Sequence, residues 1–552
     1  MSTPSPTLPA VRTVPLAALS AFPELFDTYC TDFGAVRDFY AGDFRDPAAR
    51  QQAAARAAAH PRDRDTLADV LREHHEQWGC LTDEAAANIE ALRADDTVAV
   101  VTGQQVGLFG GPLYTLYKTI TALKLADQLA EETGRPVVPV FWVEGEDHDF
   151  AEIDHAWLLR RNEPVQVQYA GPTPPASGNL GAVGRLRLME PIEAVLDQVD
   201  ELLPPSDFKP AVMEALRTAY APGTRIEDAF VQFVHALFPD SGLVYLNPDD
   251  ARLKRLVQPL YRKEIEDPDA PHRRVEDASA ALRERFHAQV RTRPTNLFLL
   301  DDTGRHPIDA EDDGTFRLRD TDRTFTRAEL LQRLDDAPEQ FSPNVVLRPL
   351  TQDALVPTAA YVAGPGEVSY FAQYKGVYDW AGIPMPLIYP RASVSLVESK
   401  VQKVIDKFEL PVEAFSGDAE QLFQRVVMDR TDVDLDDVFG TATRHVHQAI
   451  NAIKPAVEQV DRTLIGTAEA TRAALQNEME DLKSRVIRAE KRNHDEVRAQ
   501  LQKAHANLFP QGKLQERLIS AVYFLNKYSF DLVDQLRTQL SLRTTAHQIV
   551  EL

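Results

Sequence analysis

Between Val101 and Phe150 the chain carries its densest set of side chains able to do acid–base or group-transfer chemistry. The run PVFWVEGEDHDF ends in Glu144, Glu146, Asp147, His148 and Asp149, five ionisable groups within six positions. An unperturbed imidazole titrates near working pH, so His148 is the candidate general base or acid, able to deprotonate an incoming ammonium. Asp147 and Asp149 can orient that ring, hold an ammonium or hold magnesium-bound phosphate, and Glu146 completes the acidic set. Upstream, VTGQQVGLFGGPLYTLYK brings Gly103, Gly107, Gly110 and Gly111 together. Glycine lets the backbone approach a ligand, and the N–H groups and positive end of a following helix suit an anion. Gln104 and Gln105 offer neutral donors and acceptors for a sugar or a carboxylate. Tyr114 can stack, hydrogen-bond or merely pack helix on sheet. Lys118, about two turns into the helix, suits a solvated position as well as a phosphate.

Blander readings compete. Neither G-x-G-x-x-G nor G-x-x-x-x-G-K-[ST] is met, and the acids can equally close a solvated turn. The H-x-G-H and K-M-S-K-S runs of class I synthetases are absent, so adenylate chemistry of that kind is not set up. A metal hydrolase needs further ligands at suitable spacing; Asp154 and His155 are too weak a pair, and no metal site is assigned.

These groups need a scaffold. Thr97 to Val101 reads as a buried strand, about Leu113 to Glu132 as a helix, and Val137 to Val143 as a second strand ending at the acids. Open α/β sheets place their sites at such strand ends. GLVYLNPDD (Gly242 to Asp250) reads as a strand ending in Asn247 and Asp249, with a helix to about Ile265. VVLRPL (Val345 to Leu350) and MPLIYP (Met385 to Pro390) read as strands closing the sheet. Asn344 and Arg348 then border one strand and Arg391 directly follows the other, where arginine suits bidentate carboxylate or phosphate recognition. Gly364-Pro365-Gly366-Glu367 reads as a tight turn opening a helix near Val368.

The simplest assembly is α/β: a Rossmann-like doubly wound parallel sheet with two insertions. Its parts are a helical segment over 1–95, core over 96–165, an insertion over 166–240, core over 241–271, a mixed insertion over 272–340 and core over 341–393. The first insertion opens on a Pro/Gly-rich break, Gln168 to Gly181, and carries helices near Ile192 to Leu203 and Lys209 to Tyr220. Over 394–552 β signals disappear. Ile450, Ile453, Val457, Val460, Leu464, Leu475, Met479, Leu482, Val486 and Ala489 form a heptad-like seam flanked by charge, as in a coiled-coil arm. Such an arm predicts a homodimer, unless the helix folds back on its own chain near Gly466.

A net charge of −24 opposes binding to nucleic-acid backbone or anionic membrane. The two cysteines, Cys30 and Cys80, form neither a disulfide framework nor a zinc signature. No leader pattern and no apolar run of ~18 residues is read, so a cytoplasmic protein is expected.

VTGQQVGLFGGPLYT, PVFWVEGEDHDF, FSPNVVLRPLTQDALVPTAAYVAGPGEVSYF (Phe341 to Phe371), PLIYPRAS (Pro386 to Ser393) and FPQGKLQERLISAVYFLNKY (Phe509 to Tyr528) resemble, in order, the bacillithiol-biosynthesis cysteine-adding enzymes, BshC. The resemblance implies a ligase adding L-cysteine to glucosaminyl malate by an amide bond in the last step of bacillithiol biosynthesis. It implies ATP or ADP, leaves magnesium open, and makes Gln511, Gly512 and Lys513 candidates for a nucleotide pocket associated with the helical arm. On residues alone those three read as a capped helix start. The alternatives are a nucleotide-dependent transferase or hydrolase on another sugar or acid, and a non-catalytic coiled-coil scaffold. The polar set at two strand ends weighs against the scaffold.

Overall fold

The computed structural model describes residues 11–173, 179–428 and 435–552. The expectations about a leader at 1–10 and about 174–178 of the Pro/Gly-rich break lie outside the described residues. The chain divides into two compact units: residues up to Val397 together with Lys513–Leu552, and Glu398–Gly512.

The first unit is built on a five-stranded parallel sheet. Its strands are β1 Val98–Gln105, β2 Val137–Glu144, β3 Val244–Leu246, β4 Thr358–Ala363 and β5 Leu387–Pro390. They lie in the order β5-β4-β1-β2-β3, every neighbour parallel. That is the doubly wound arrangement: β2 and β3 are added on one side of β1, β4 and β5 on the other, so the winding reverses between β1 and β4. Val98 to Val101 are wholly buried, as continuous apolar runs are when helices cover both faces of a sheet. Helix α1 (Leu113–Thr133) joins β1 to β2. The alanine-rich helix Pro47–Ala59 packs on β4 and α1, where Arg50 pairs with Glu132 at 2.7 Å.

Between β2 and β3 lie a hairpin, His155–Arg160 with Glu163–Gln168, and helices Pro191–Leu202, Lys209–Ala219 and Ile226–Leu237. Between β3 and β4 an antiparallel sheet of five strands runs from Leu297–Asp301 to Phe341–Pro343. It brings Phe298 and Arg305 to the main sheet's carboxyl edge.

Two expectations are corrected. VVLRPL is not a strand: helix α2 spans Leu347–Leu355. Asn344 Oδ1 accepts from the N–H groups of Val346 (2.8 Å) and Leu347 (3.3 Å), and Pro349 falls in the first turn, where its missing N–H costs nothing. The capping outweighs the β-branched pair Val345-Val346, and the true strand is β4. Nor do strands end at Val394. Val394–Val397 pairs parallel with His547–Glu551, which pairs antiparallel with Arg12–Val14. Runs of this length are too short for periodicity to register. The tight turn does open a helix, α3 (Pro365–Phe371).

In the second unit, helices α4 (Leu435–Val460) and α5 (Ile465–Leu508) form an antiparallel hairpin. Asp436 pairs with Lys483 at 2.6 Å, His447 meets Arg472 at 3.4 Å, and Lys454 pairs with Glu469. The chain reverses over Arg462–Leu464, where Asp461 accepts from the Thr463 amide at 2.9 Å, just before Gly466. Ile450 is buried, but Ile453 (51%), Val460 (83%), Leu464 (44%), Leu475 (43%) and Leu482 (51%) remain exposed. Among the described residues no helix is long and apolar enough to cross a membrane.

Candidate functional site

At the switch point, beyond the carboxyl ends of β1 and β4, lies a cavity of about 690 Å³. Five cationic side chains (Lys118, Arg305, Arg348, Arg391, Arg517) and three carboxylates (Glu144, Asp147, Glu367) line it, with His148 and the rings of Tyr114, Trp142, Phe298, Tyr361 and Tyr370. β1 runs four residues past its apolar stretch, so Gly103, Gln104 and Gln105 end inside the site. At Gly103 a Cβ would sit 3.0 Å from the Trp142 carbonyl, so any side chain there would press β1 and β2 apart by a few tenths of an ångström.

Asp147 is the acidic hub. Its Oδ1 accepts from the His148 amide (2.7 Å) and lies 3.3 Å from His148 Nδ1 and 3.5 Å from Arg305 Nη1, while its Oδ2 accepts from Gln105 Nε2 at 3.0 Å. Burial would push this carboxyl up, but the bonds from His148, Arg305 and Gln105 outweigh it and hold it well below the usual carboxylate range. His148 Nδ1 also lies 3.1 Å from Arg305 Nη1. The ring therefore has a partner for either protonation state of Nδ1, whereas Nε2 has none among the described residues. Burial pushes the Glu144 carboxyl up, with Glu146 and Asp147 adding and Arg348 opposing. Glu144 also accepts from Trp142 Nε1 at 2.9 Å.

Two models cover nearly the whole chain. Residues 11–392 match the bacillithiol biosynthesis BshC N-terminal Rossmann-like domain, and residues 394–552 match the BshC C-terminal coiled-coil domain. The chain belongs to the BshC family. A relative from Salinibacter ruber is 61% identical over 99% of this chain and 100% of its own length. Relatives from Chloroherpeton thalassium (34% identical, 95% of each chain) and Geobacillus kaustophilus (32%, 88% of this chain and 90% of its own) are more distant. Each carries the name "Putative cysteine ligase BshC".

In this BshC-family fold, Gly103, Gln104, Gln105, Tyr114, Asp147, His148, Asn344, Arg348, Gly366, Glu367 and Arg391 all line the one cavity. Several of them are spoken for. Asn344 caps α2. Glu367 takes the Gly364 amide and the Tyr361 hydroxyl, both at 2.7 Å, and pairs with Lys118. Burial raises its carboxyl, yet Lys118 and these donors hold it below the usual range. Arg391 Nη2 binds Glu516 at 2.7 Å, and its guanidinium sits 5.6 Å from the Tyr114 ring centroid.

Other candidates fall elsewhere. Glu146 is buried in an ion pair with Lys254, away from the cavity lining. Asp149 is exposed and caps the short turn Phe150–Glu152. Gly107 does not line the cavity; a Cβ there would sit 3.2 Å from Gly111 Cα. The glycine loop is no open phosphate cradle: the N–H groups of Gly107, Leu108, Gly110, Gly111 and Leu113 go to Gln105 O, Ile153 O, Tyr220 Oη, Leu108 O and Ile519 O. Gln511, Gly512 and Lys513 do not begin a helix. They follow the carboxyl end of α5, with Gln511 and Gly512 in the short turn Pro510–Gly512.

Sequence reasoning underrated Lys118, which is buried and donates to Gly103 O at 2.9 Å and Gln104 Oε1 at 3.3 Å. It left Glu144 without a role and missed Arg305, Tyr361, Tyr370 and Arg517. Position at the end of β2 marked Glu144; nothing local marks Arg305, which a distant insertion delivers. Among the described residues no group of three or more His, Cys, Asp or Glu side chains is placed to hold a metal.

Proposed function

We propose that this chain is a ligase joining the carboxyl carbon of L-cysteine to the amine of glucosaminyl malate, the last step of bacillithiol synthesis. The observation that carries the reading is the Asp147–His148 pair inside a switch-point cavity rich in cations. A cavity of this size suits a small sugar conjugate. His148 takes the proton that the acceptor ammonium must lose before its nitrogen attacks, and Asp147 stabilises the imidazolium that results. Gln104 and Gln105 suit sugar hydroxyls. The acidic end of the acceptor fits the arginine-lined wall. Cysteine must enter as an activated acyl donor, since a free carboxylate does not condense with an amine in water. The glycine loop's amides are taken and Gln511–Lys513 do not begin a helix, so no step is assigned to a nucleotide at those places.

A deletion strain complemented with variants tests the reading. His148→Ala or Asp147→Asn should lower cellular bacillithiol by about 100-fold or more, with glucosaminyl malate accumulating and the circular dichroism spectrum unchanged. Full thiol levels with either variant would remove the pair from the mechanism.

We infer also that the chain is a homodimer through the coiled-coil hairpin: the helix does fold back on its own chain, yet Ile453, Val460, Leu464, Leu475 and Leu482 stay exposed, apolar surface of the kind that marks an interface. Replacing Leu475 and Leu482 together by Glu should yield monomers in sedimentation. Wild-type protein sedimenting as a monomer at micromolar concentration would refute the dimer.

A further inference from the structure

Of the five cations lining the cavity, four are engaged by the chain itself. Lys118 meets Gly103, Gln104 and Glu367. Arg305 donates to Ser342 Oγ and Pro343 O, both at 2.9 Å, and faces Asp147 and His148. Arg348 donates to Gln352 Oε1 at 3.2 Å and Tyr361 Oη at 3.5 Å, with Glu144 at 4.0 Å. Arg391 spends its fork on Ala392 O (2.9 Å) and Glu516 Oε1 (2.7 Å). Arg517 is the exception: its guanidinium has no partner among the described residues.

An unpaired arginine on a loose surface means nothing, but the backbone under Arg517 is not loose. It ends the turn Gln515–Arg517, and the two residues before it are buried. Gln515 accepts from the Leu396 amide at 2.8 Å and donates to the Leu396 carbonyl at 2.9 Å, as a strand neighbour would. Glu516 accepts from Arg391, from Ser393 Oγ at 3.1 Å and from the Val394 amide at 2.7 Å. The Arg517 amide itself donates to Leu514 O at 2.9 Å. The turn is pinned while its cation lines the cavity beside Tyr114, whose phenol feels both Arg391 and Arg517.

We infer that Arg517, rather than Arg391, is the carboxylate-recognition residue of this site, and that it grips the dicarboxylate end of the acceptor next to Tyr114. The inference rests on the proposed function in one respect, the acidity of the acceptor. A guanidinium already satisfied by Glu516 has little fork left for a ligand. One held in place without a partner gains a charge-assisted, two-pronged contact when a carboxylate arrives. Arg517 is exposed and touches no core residue's hydrogen bonds, so its substitution leaves the fold standing.

Titration calorimetry on the full chain tests this with three probes: L-malate, glucosaminyl malate and the dimethyl ester of glucosaminyl malate. Arg517→Gln should weaken both acids by about tenfold or more and leave the ester unchanged, and Arg517→Lys should recover part of the loss. Unchanged acid affinity in Arg517→Gln overturns the assignment, as does an equal loss for acid and ester, or wild-type protein that binds neither acid. Arg517-dependent binding of L-malate without any binding of glucosaminyl malate supports the subsite and sinks the proposed acceptor instead.

Discussion

Two turns occupy equivalent places in the two halves of the sheet, one after β1 and one after β4, and they behave oppositely. The β1 turn is rich in glycine, yet its amides are consumed within the turn itself, by the Ile153 carbonyl, by Tyr220 and by Ile519. The β4 turn has two glycines flanking Pro365, and it borders the cavity through Gly364, Pro365 and Gly366. Glycine content therefore does not make a binding turn. What decides is where the N–H groups and the space beside them go, and both are properties of distant segments. A glycine loop with its donors already paired is a packing device; a short turn with space beside it leaves room for a ligand.

The largest effect is expected where the two turns are tied together. Lys118 Nζ donates to the Gly103 carbonyl at the end of β1 and pairs with Glu367 in the β4 turn. Lys118→Met should destabilise the protein by about 3–5 kcal/mol, because it leaves a buried carboxylate without its cation. Denaturant unfolding would measure it. The Lys118→Met, Glu367→Gln double variant should lose less than the single. The sign with pH follows: without Lys118, burial raises the Glu367 carboxyl, so the deficit should shrink as pH falls and Glu367 protonates. A loss below about 1 kcal/mol would break the link between the turns.

How much of this was legible depended on whether the deciding contact was local. β1, β2, β5 and α1 announce themselves through apolar runs and periodicity, and the acids at the end of β2 mark the sheet edge that carries the cavity. Asp147 and His148 were found this way. Glu146, one residue before them, was misjudged because Lys254, on the helix after β3, pairs with it. Lys118 looked solvated because Glu367 lies 249 positions further on, and only the fold brings the two together. Arg305 and Arg517 carry no local signal at all; one rides on an insertion's sheet, the other on the return of the chain after the coiled coil. Asn344 borders an apparent strand in the sequence; that its side chain holds the Val346 and Leu347 amides is visible only in the folded chain.

A smaller effect should separate the turns by stability alone. Gly110 has φ +80°, and an added Cβ would sit 3.1 Å from Phe233 Cδ1. Gly110→Ala should cost about 1–2 kcal/mol from the left-handed backbone, with further strain from the ring. Its melting temperature should fall while the Michaelis constants of the surviving folded enzyme hold. A changed acceptor constant at full stability would mean that the β1 turn touches substrate after all.

The smallest effect on stability, and the most informative for function, belongs to the other turn. A Cβ at Gly366 meets nothing within 4 Å, and the residue lies in the first turn of α3 without a positive φ. Gly366→Ala should therefore leave stability unchanged or raise it by a few tenths of a kcal/mol, up to ~1, through reduced freedom of the unfolded chain. The new methyl group would stand at the cavity edge, so the Michaelis constant for the acceptor should rise while the thermal midpoint does not fall. Steady-state kinetics beside a melting curve read both quantities on one preparation. If the acceptor constant stays at the wild-type value, the space beside this turn is empty of substrate in the working enzyme. The contrast between the turns would then reduce to one of packing.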